Sequence, residues 1–303
     1  MNLFFNVEEN RLRAGWRLLI QFIVFFFIAG LATLLIRLLV PLQTSLYTAI
    51  GSLIGVIASI WLAATMLDKR PVLSYGLTVN KQWVKDFMVG ICFGSFAMCS
   101  IFILEWQLNW IAITGWYQTT LPYPFFLALL SSLLAMLIVG IYEESLSRGY
   151  QILNLSEGLY HSKIGTTGTA IAAVILSSTF FALMHAFNPN VTEIAILNII
   201  FAGVVLAVPY LLTGQLGLSI GLHFSWNFVQ GSIFGFPVSG THMDATVIQI
   251  TQYGPDIWTG GSFGPEAGIT GIIGMAIMLG ATFVYLYSIE HKLRLAAPFK
   301  NEP

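Results

Sequence analysis

Residues 194–229 read IAILNIIFAGVVLAVPYLLTGQLGLSIGLHFSWNFV. Between Glu193 and Asp244 there is no Asp, Glu, Lys or Arg. A hydrocarbon core ~30 Å thick needs about 20 apolar helical residues to cross it. The stretch is therefore long enough for two spans, divided near Pro209 to Gly217 by Thr213-Gly214-Gln215. Working outward, charge-free windows recur at 18–36, 46–67, 121–142, 164–184 and 267–289, with a slightly shorter one at 87–104. The reading is an all-α, polytopic membrane protein of about eight transmembrane helices, with 1–303 forming a single transmembrane domain. The first apolar run is too long for a cleaved signal peptide and lacks a small-residue cleavage site.

Composition agrees. The chain is 56% hydrophobic and only 9% charged, with a mean hydropathy of +0.80, whereas soluble domains carry about a quarter charged residues. The net charge of −1 is uninformative, but its distribution is not. Arg11, Arg13 and Arg17 precede span one; Lys69, Arg70, Lys81 and Lys85 separate spans two and three. Arg148 and Lys163 follow span four, and Lys292, Arg294 and Lys300 follow span eight. The opposite loops, near 41–45, 105–120, 186–193 and 235–265, hold no Lys or Arg. The positive-inside rule then expects both termini in the cytoplasm. Arg37, near the outer end of span one, can snorkel to the interface. Cys92 and Cys99 lie a heptad apart in one span and read as packing residues. No nucleic-acid partner is expected.

Ionisable groups at a helix centre in hydrocarbon cost at least ~2.5 kcal/mol, so three polar constellations stand out. They are Glu143-Glu144-xxx-Arg148, Phe181-xxx-His185 and His223-xxx-Asn227. Glu143 and Glu144 point about 100° apart on a helix, while Glu144 and Arg148 share a face. Glu144 can pair with Arg148, leaving Glu143 without a local partner and suited to act as a general base for water. All three could instead form one packing network. Glu143, His185 and His223 offer one oxygen and two nitrogen ligands, a set that suits Zn2+ with one position open. The same groups could position water without a metal. Asn227 is a neutral donor fitted to a developing oxyanion.

Other polar residues carry blander expectations. Glu105, Glu193, Asp244 and Asp256 fall in outer loops and read as solvated, and Glu266 reads as an acidic charge at a helix N-terminus. His161 and His291 lie in basic segments, and His242 in an outer loop. The run Thr246–Thr251 alternates and suggests a short hairpin within 235–265. Gly51/Gly55, Gly90/Gly94 and Gly217/Gly221 are small-xxx-small pairs that mark close helix packing.

In this order on successive helices, EExxxR, FxxxH and HxxxN resemble the CPBP family of intramembrane endopeptidases, also called Abi, which includes the type II CAAX prenyl endopeptidase. The resemblance covers about residues 120–235, the expected catalytic core. One departure is Ser147, before Arg148, where the family often has an aromatic residue. The resemblance implies that Glu143 activates water with help from His185. It implies that His223 and Asn227 stabilise the oxyanion or complete a metal site, and that Glu144 and Arg148 support them. It further implies a substrate that is a membrane-anchored or prenylated protein or peptide, and a bacterial plasma-membrane location. Two other classes stay open: a proton- or ion-coupled transporter using Glu143, His185 and His223 as a relay, and a non-catalytic binding or immunity protein. Transporters tend to carry inverted repeats and broken helices, and neither is visible. Strict alternation of spans puts Glu143 near the inner end of span four and His185 near the outer end of span five. A shared polar cavity requires span four to run long and tilted, to about residue 155, or span five to enter at another depth.

Overall fold

A computed structural model of the chain describes residues 3–6, 9–40 and 44–300. Two short paired strands, β1 (Phe5–Asn6) and β2 (Arg11–Leu12), precede α1 (Ala14–Leu39), α2 (Ser45–Leu62) and α3 (Lys81–Gln107). Strand β3 (Ile111–Thr119) leads to α4 (Phe125–Glu144), which runs through a π-helical stretch, 145–152, into α5 (Leu153–Leu159). Then follow α6 (Gly165–Met184), α7 (Glu193–Thr213), α8 (Gly217–Phe228), β4 (Ala245–Gln252), the single turn α9 (Asp256–Thr259) and α10 (Ile269–Glu290). Among the described residues, seven helical stretches are long and apolar enough to cross a membrane. Large apolar side chains such as Phe27, Leu38, Phe126 and Val284 are exposed on them. A helix in lipid satisfies its own backbone and can leave such side chains outward, so the chain is an integral, multi-pass membrane protein.

The eighth expected span differs from the others. α8 has 12 residues, extended by a π-helical turn over 229–233. Every residue from Gly217 to Asn227 is buried, so α8 is the axis of the bundle and meets protein on all sides. A helix enclosed this way need not match the hydrocarbon thickness. Glycines let its neighbour α3 approach: a Cβ on Gly221 would collide with the Phe87 carbonyl oxygen, and one on Gly90 would sit 2.5 Å from that of Leu218. Two of the three glycine pairs read from the sequence thus serve one helix contact, and Gly51 and Gly55 serve the other, against Thr33 and Ala29 of α1.

At the end of the bundle that carries β1 and β2, an ionic cluster joins β2, α1, α5 and the segment that follows α2. Arg17 pairs with Asp68, Arg70 with Glu157, and Arg11 and Arg17 each reach Glu157 at 3.1 Å. Tyr75 donates to Asp68 at 2.5 Å; burial, then the Asp68 charge, push its hydroxyl up. The 68–85 segment is therefore folded down on its Tyr75, which is fully buried.

At the other end, β4 does not form a local hairpin. It pairs antiparallel with β3, Ile111 opposite Gln252 and Thr119 opposite Ala245, across a separation of more than a hundred residues. The alternating run was legible, but its partner lay in a segment that reads as loop. The connection 235–268 folds back into the bundle. Phe263 and Ala267 pack on Phe181, Ala182 and Ile199, and Glu266 is buried. Two expectations of solvated acids fail here. Glu105 is fully buried at the end of α3, accepting from the Thr270 hydroxyl at 2.8 Å. Asp244 is half-buried and accepts from the backbone N–H and hydroxyl of Ser45 at 3.0 and 2.7 Å. Loop position predicts solvation only when the loop stays outside the bundle.

Candidate functional site

The length of span four resolves the depth conflict. α4 continues without a break to Leu159, 35 residues in all, about 52 Å at ~1.5 Å per residue. Glu143 is thereby at mid-helix rather than at a helix end. α6 runs alongside the second half of this element: the Ser177 hydroxyl donates to the Ser147 carbonyl at 2.7 Å. α6 stops at Met184, so His185, at its C-terminal cap, is also inside the bundle. His223 is at the middle of α8.

Glu143, His185, His223 and Asn227 all line one cavity of about 510 Å³. Its walls come from α4, α6 and α8, with Phe25 and Phe26 of α1 on one side and Ser239 and Glu266 of the folded-back connection on another. It is an apolar-walled hole with a few polar groups facing into it, the usual form of a small-molecule or peptide site.

The two acids of the EExxxR motif have distinct surroundings. Glu144 is fully buried; its Oε2 lies 3.2 Å from Arg148 Nε, and its Oε1 is 2.7 Å from His223 Nδ1. A carboxylate only accepts, so Nδ1 of His223 carries the hydrogen. The motif occupies the junction where the α-helix gives way to π-helix; π-helical insertions often sit at functional sites. Arg148 also stacks over the Phe181 ring at 4.3 Å, a cation–π contact. Phe181 thus lies between the guanidinium and the two imidazoles, its ring 4.7 Å from that of His185 and 6.2 Å from that of His223.

Glu143 does have local partners. The Tyr142 hydroxyl donates to its Oε1 at 3.1 Å, and its Oε2 lies 3.7 Å from His223 Nε2. The sequence expectation of an unpartnered acid missed both, because one partner is its chain neighbour and the other comes from a helix eighty residues on. His185 Nδ1 lies 2.8 Å from the Phe181 carbonyl oxygen. That oxygen only accepts, so Nδ1 bears the hydrogen and Nε2 of the neutral ring is a free acceptor. The site therefore contains an acceptor carboxylate oxygen, an acceptor imidazole nitrogen, and a neutral amide donor. This set can hold a water, remove its proton and stabilise a developing oxyanion. Among the described residues, no three His, Cys, Asp or Glu side chains form a group able to hold a metal ion. The Glu143, His185 and His223 set thus shares a cavity but is not gathered into a ligand cluster.

Sequence reasoning missed Glu266. It is buried in the cavity wall and accepts from the Ser239 backbone N–H at 2.9 Å, with the Ser239 hydroxyl at 3.5 Å. Burial pushes its carboxyl up to about 7, against the pull of the Ser239 N–H, the Gln230 amide and nearby His223. The available signal was its setting: a Glu in Gly264-Pro265-Glu266-Ala267-Gly268 with no other charged residue nearby.

Fold and cavity define a multi-pass helical membrane protein with a buried carboxylate–histidine centre. Residues 125–229 match the family described as Type II CAAX prenyl endopeptidase Rce1-like, the family to which the three motifs pointed. The matched segment contains all seven motif residues, Glu143, Glu144, Arg148, Phe181, His185, His223 and Asn227. No curated protein and no solved structure matched the chain.

Proposed function

We propose that this chain is an intramembrane endopeptidase that hydrolyses a peptide bond in a membrane-anchored or prenylated protein or peptide. The observation that carries the reading is the convergence of Glu143, His185, His223 and Asn227 on one cavity inside a bundle of membrane-spanning helices. A water between Glu143 Oε2 and His185 Nε2 gives its proton to Glu143 and attacks the scissile carbonyl. Tyr142 occupies the other oxygen of Glu143, which keeps Oε2 turned to the water. The Asn227 amide, and His223 when its Nε2 is protonated, donate to the oxyanion. Glu144 and Arg148 hold the His223 ring in place from behind. A lipid-linked substrate suits the site because the cavity wall facing α1 is apolar, with Phe25 and Phe26 between it and the lipid-facing side. The catalytic core is about 120–235.

The reaction as written uses no metal. Purified protein in phosphatidylcholine vesicles is expected to cleave a prenylated peptide while containing far less than one equivalent of transition metal, and to stay active after a membrane-permeant chelator. One equivalent of zinc, lost together with activity on stripping and regained with it, would replace this version by one in which Glu143, His185 and His223 are ligands. Failure to cleave any membrane-anchored peptide, metal-loaded or not, would remove the protease reading.

Orientation follows from charge. Twelve of the 13 Lys and Arg residues lie on the terminal side of the bundle or within its second half of α4 to α5. We place both termini in the cytoplasm of a bacterial plasma membrane and β3–β4 outside. A single cysteine at position 250, in a background lacking Cys92 and Cys99, is expected to react with an impermeant maleimide in intact cells. Labelling there only after the membrane is opened would invert the topology.

A further inference from the structure

Peptide hydrolysis needs a base for water and an acid for the leaving nitrogen. An amide anion is too basic to depart unprotonated, so the acid matters as much as the base. Among the described residues, the carboxyl and imidazole side chains lining the cavity are Glu143, His185, His223 and Glu266. His185 has committed its only N–H to the Phe181 carbonyl. His223 has committed Nδ1–H to Glu144, and its Nε2, 3.7 Å from Glu143, faces the oxyanion in the proposed reaction rather than the leaving nitrogen. Asn227 donates a hydrogen bond but gives up no proton. Glu143 is the acceptor for water. The remaining carboxyl is Glu266.

Its placement fits the complementary role. Glu143 projects from α4, which packs on α2 and α8; Glu266 projects from the turn 265–267, which packs on α7, α9 and α10. The two acids thus enter one cavity from different elements. Glu266 is anchored through Oε2 by the backbone N–H of Ser239 at 2.9 Å, while its Oε1 has only the Ser239 hydroxyl at 3.5 Å, and the side chain lines the cavity. Buried and remote from any cation at hydrogen-bonding distance among the described residues, it is a carboxyl that keeps its proton more readily than a surface glutamate, with a value about 7. Environments that hold one carboxyl as acceptor and another as acid are the usual means of dividing acid and base roles.

We infer that Glu266 is a second catalytic carboxyl, the acid that protonates the leaving nitrogen. The inference rests on the endopeptidase reading. Glu143 takes a proton from water as the hydroxide oxygen bonds to the carbonyl carbon, and the carbonyl π electrons become the oxyanion. As the oxyanion collapses, the C–N bond breaks, its electron pair passes to nitrogen, and the Glu266 proton goes to that nitrogen. The products are a carboxylic acid and a free amine. The proton on Glu143 then passes through water to Glu266, restoring both groups.

The test compares leaving groups. A prenylated peptide and its analogue with a thioester at the scissile bond are offered to protein in phosphatidylcholine vesicles. A thiolate, with a parent thiol pKa near ~8.5, departs without a proton, so its loss does not need Glu266. Glu266→Gln preserves shape and can still accept from the Ser239 N–H. It is expected to lower kcat for the peptide by roughly 10²-fold and to change thioester turnover by less than about threefold. Retained thioester turnover also reports that the variant is folded. Glu266→Asp, which keeps an acid at shorter reach, should fall between wild type and Glu266→Gln on the peptide, giving a second reading should the Gln variant unfold. Glu143→Gln should lose both substrates. Equal losses on the two substrates, or unchanged peptide turnover in Glu266→Gln, would overturn the acid role while leaving the protease reading intact. Wild-type protein inert toward both would overturn both.

Discussion

Glu143→Gln should abolish peptide cleavage while the protein folds as before. The amide is isosteric with the carboxylate, and its oxygen can still accept from the Tyr142 hydroxyl, a hydrogen bond of 3.1 Å in the wild type. It can also stay near His223 Nε2, now at 3.7 Å. What it cannot do is remove a proton from water. General-base catalysis contributes ~10²–10⁴-fold, so kcat should fall by at least two orders of magnitude. The thermal unfolding midpoint should move little, because Glu143 is half-buried and, among the described residues, has no Lys or Arg bonded to it. Single-turnover cleavage of a prenylated peptide, with thermal unfolding in the same detergent, reads both quantities. Activity within a few fold of wild type would remove Glu143 as base and leave His185 Nε2 as the other acceptor facing the cavity.

The polar residues that gather at the cavity stood out in the sequence because membrane insertion penalises charge so heavily. In a chain so poor in ionisable groups, six polar residues on helical spacing needed a reason to be there. The span count was legible for the same cause, apart from α8, which is shorter than a bilayer requires because protein surrounds it on every side. Harder to see was anything that depends on non-local folding. Glu105 and Glu266 sit in segments whose hydropathy reads as extramembrane, yet Glu105 is buried against Thr270 of α10 and Glu266 is carried into the bundle by the returning 235–268 connection. Strand β4 advertised itself by alternation, but its register with β3 is set by a pairing across more than a hundred residues. The depth of Glu143 hinged on the continuity of α4 through a π-helical stretch, 145–152, in which Arg148 and Gly149 read as the end of a span.

Glu144→Gln should act mainly on stability, and the reason lies in what it leaves behind. Glu144 Oε2 is the carboxylate oxygen at 3.2 Å from Arg148 Nε, and Arg148 is 2% exposed. The amide removes the charge facing that guanidinium and presents either a neutral oxygen or an N–H, so a buried cation loses its counter-ion. Breaking one side of a buried pair typically costs ~3–5 kcal/mol. The His223 ring need not move, since the amide oxygen of a glutamine at this position can accept the Nδ1–H that Glu144 accepts at 2.7 Å. Removing both charges at once is a different case: a buried pair replaced by neutral side chains of similar volume is often close to neutral in stability. Arg148→Met keeps an unbranched apolar stem against Phe181, whose ring now lies 4.3 Å from the guanidinium carbon. The double variant Glu144→Gln with Arg148→Met should therefore regain most of what each single variant loses, a coupling of at least about 2 kcal/mol in a double-mutant cycle. Denaturation of the four proteins in one detergent measures it. Additive losses would mean that Arg148 is held chiefly by Phe181 and the Gly203 carbonyl at 3.4 Å, and that Glu144 serves His223 alone.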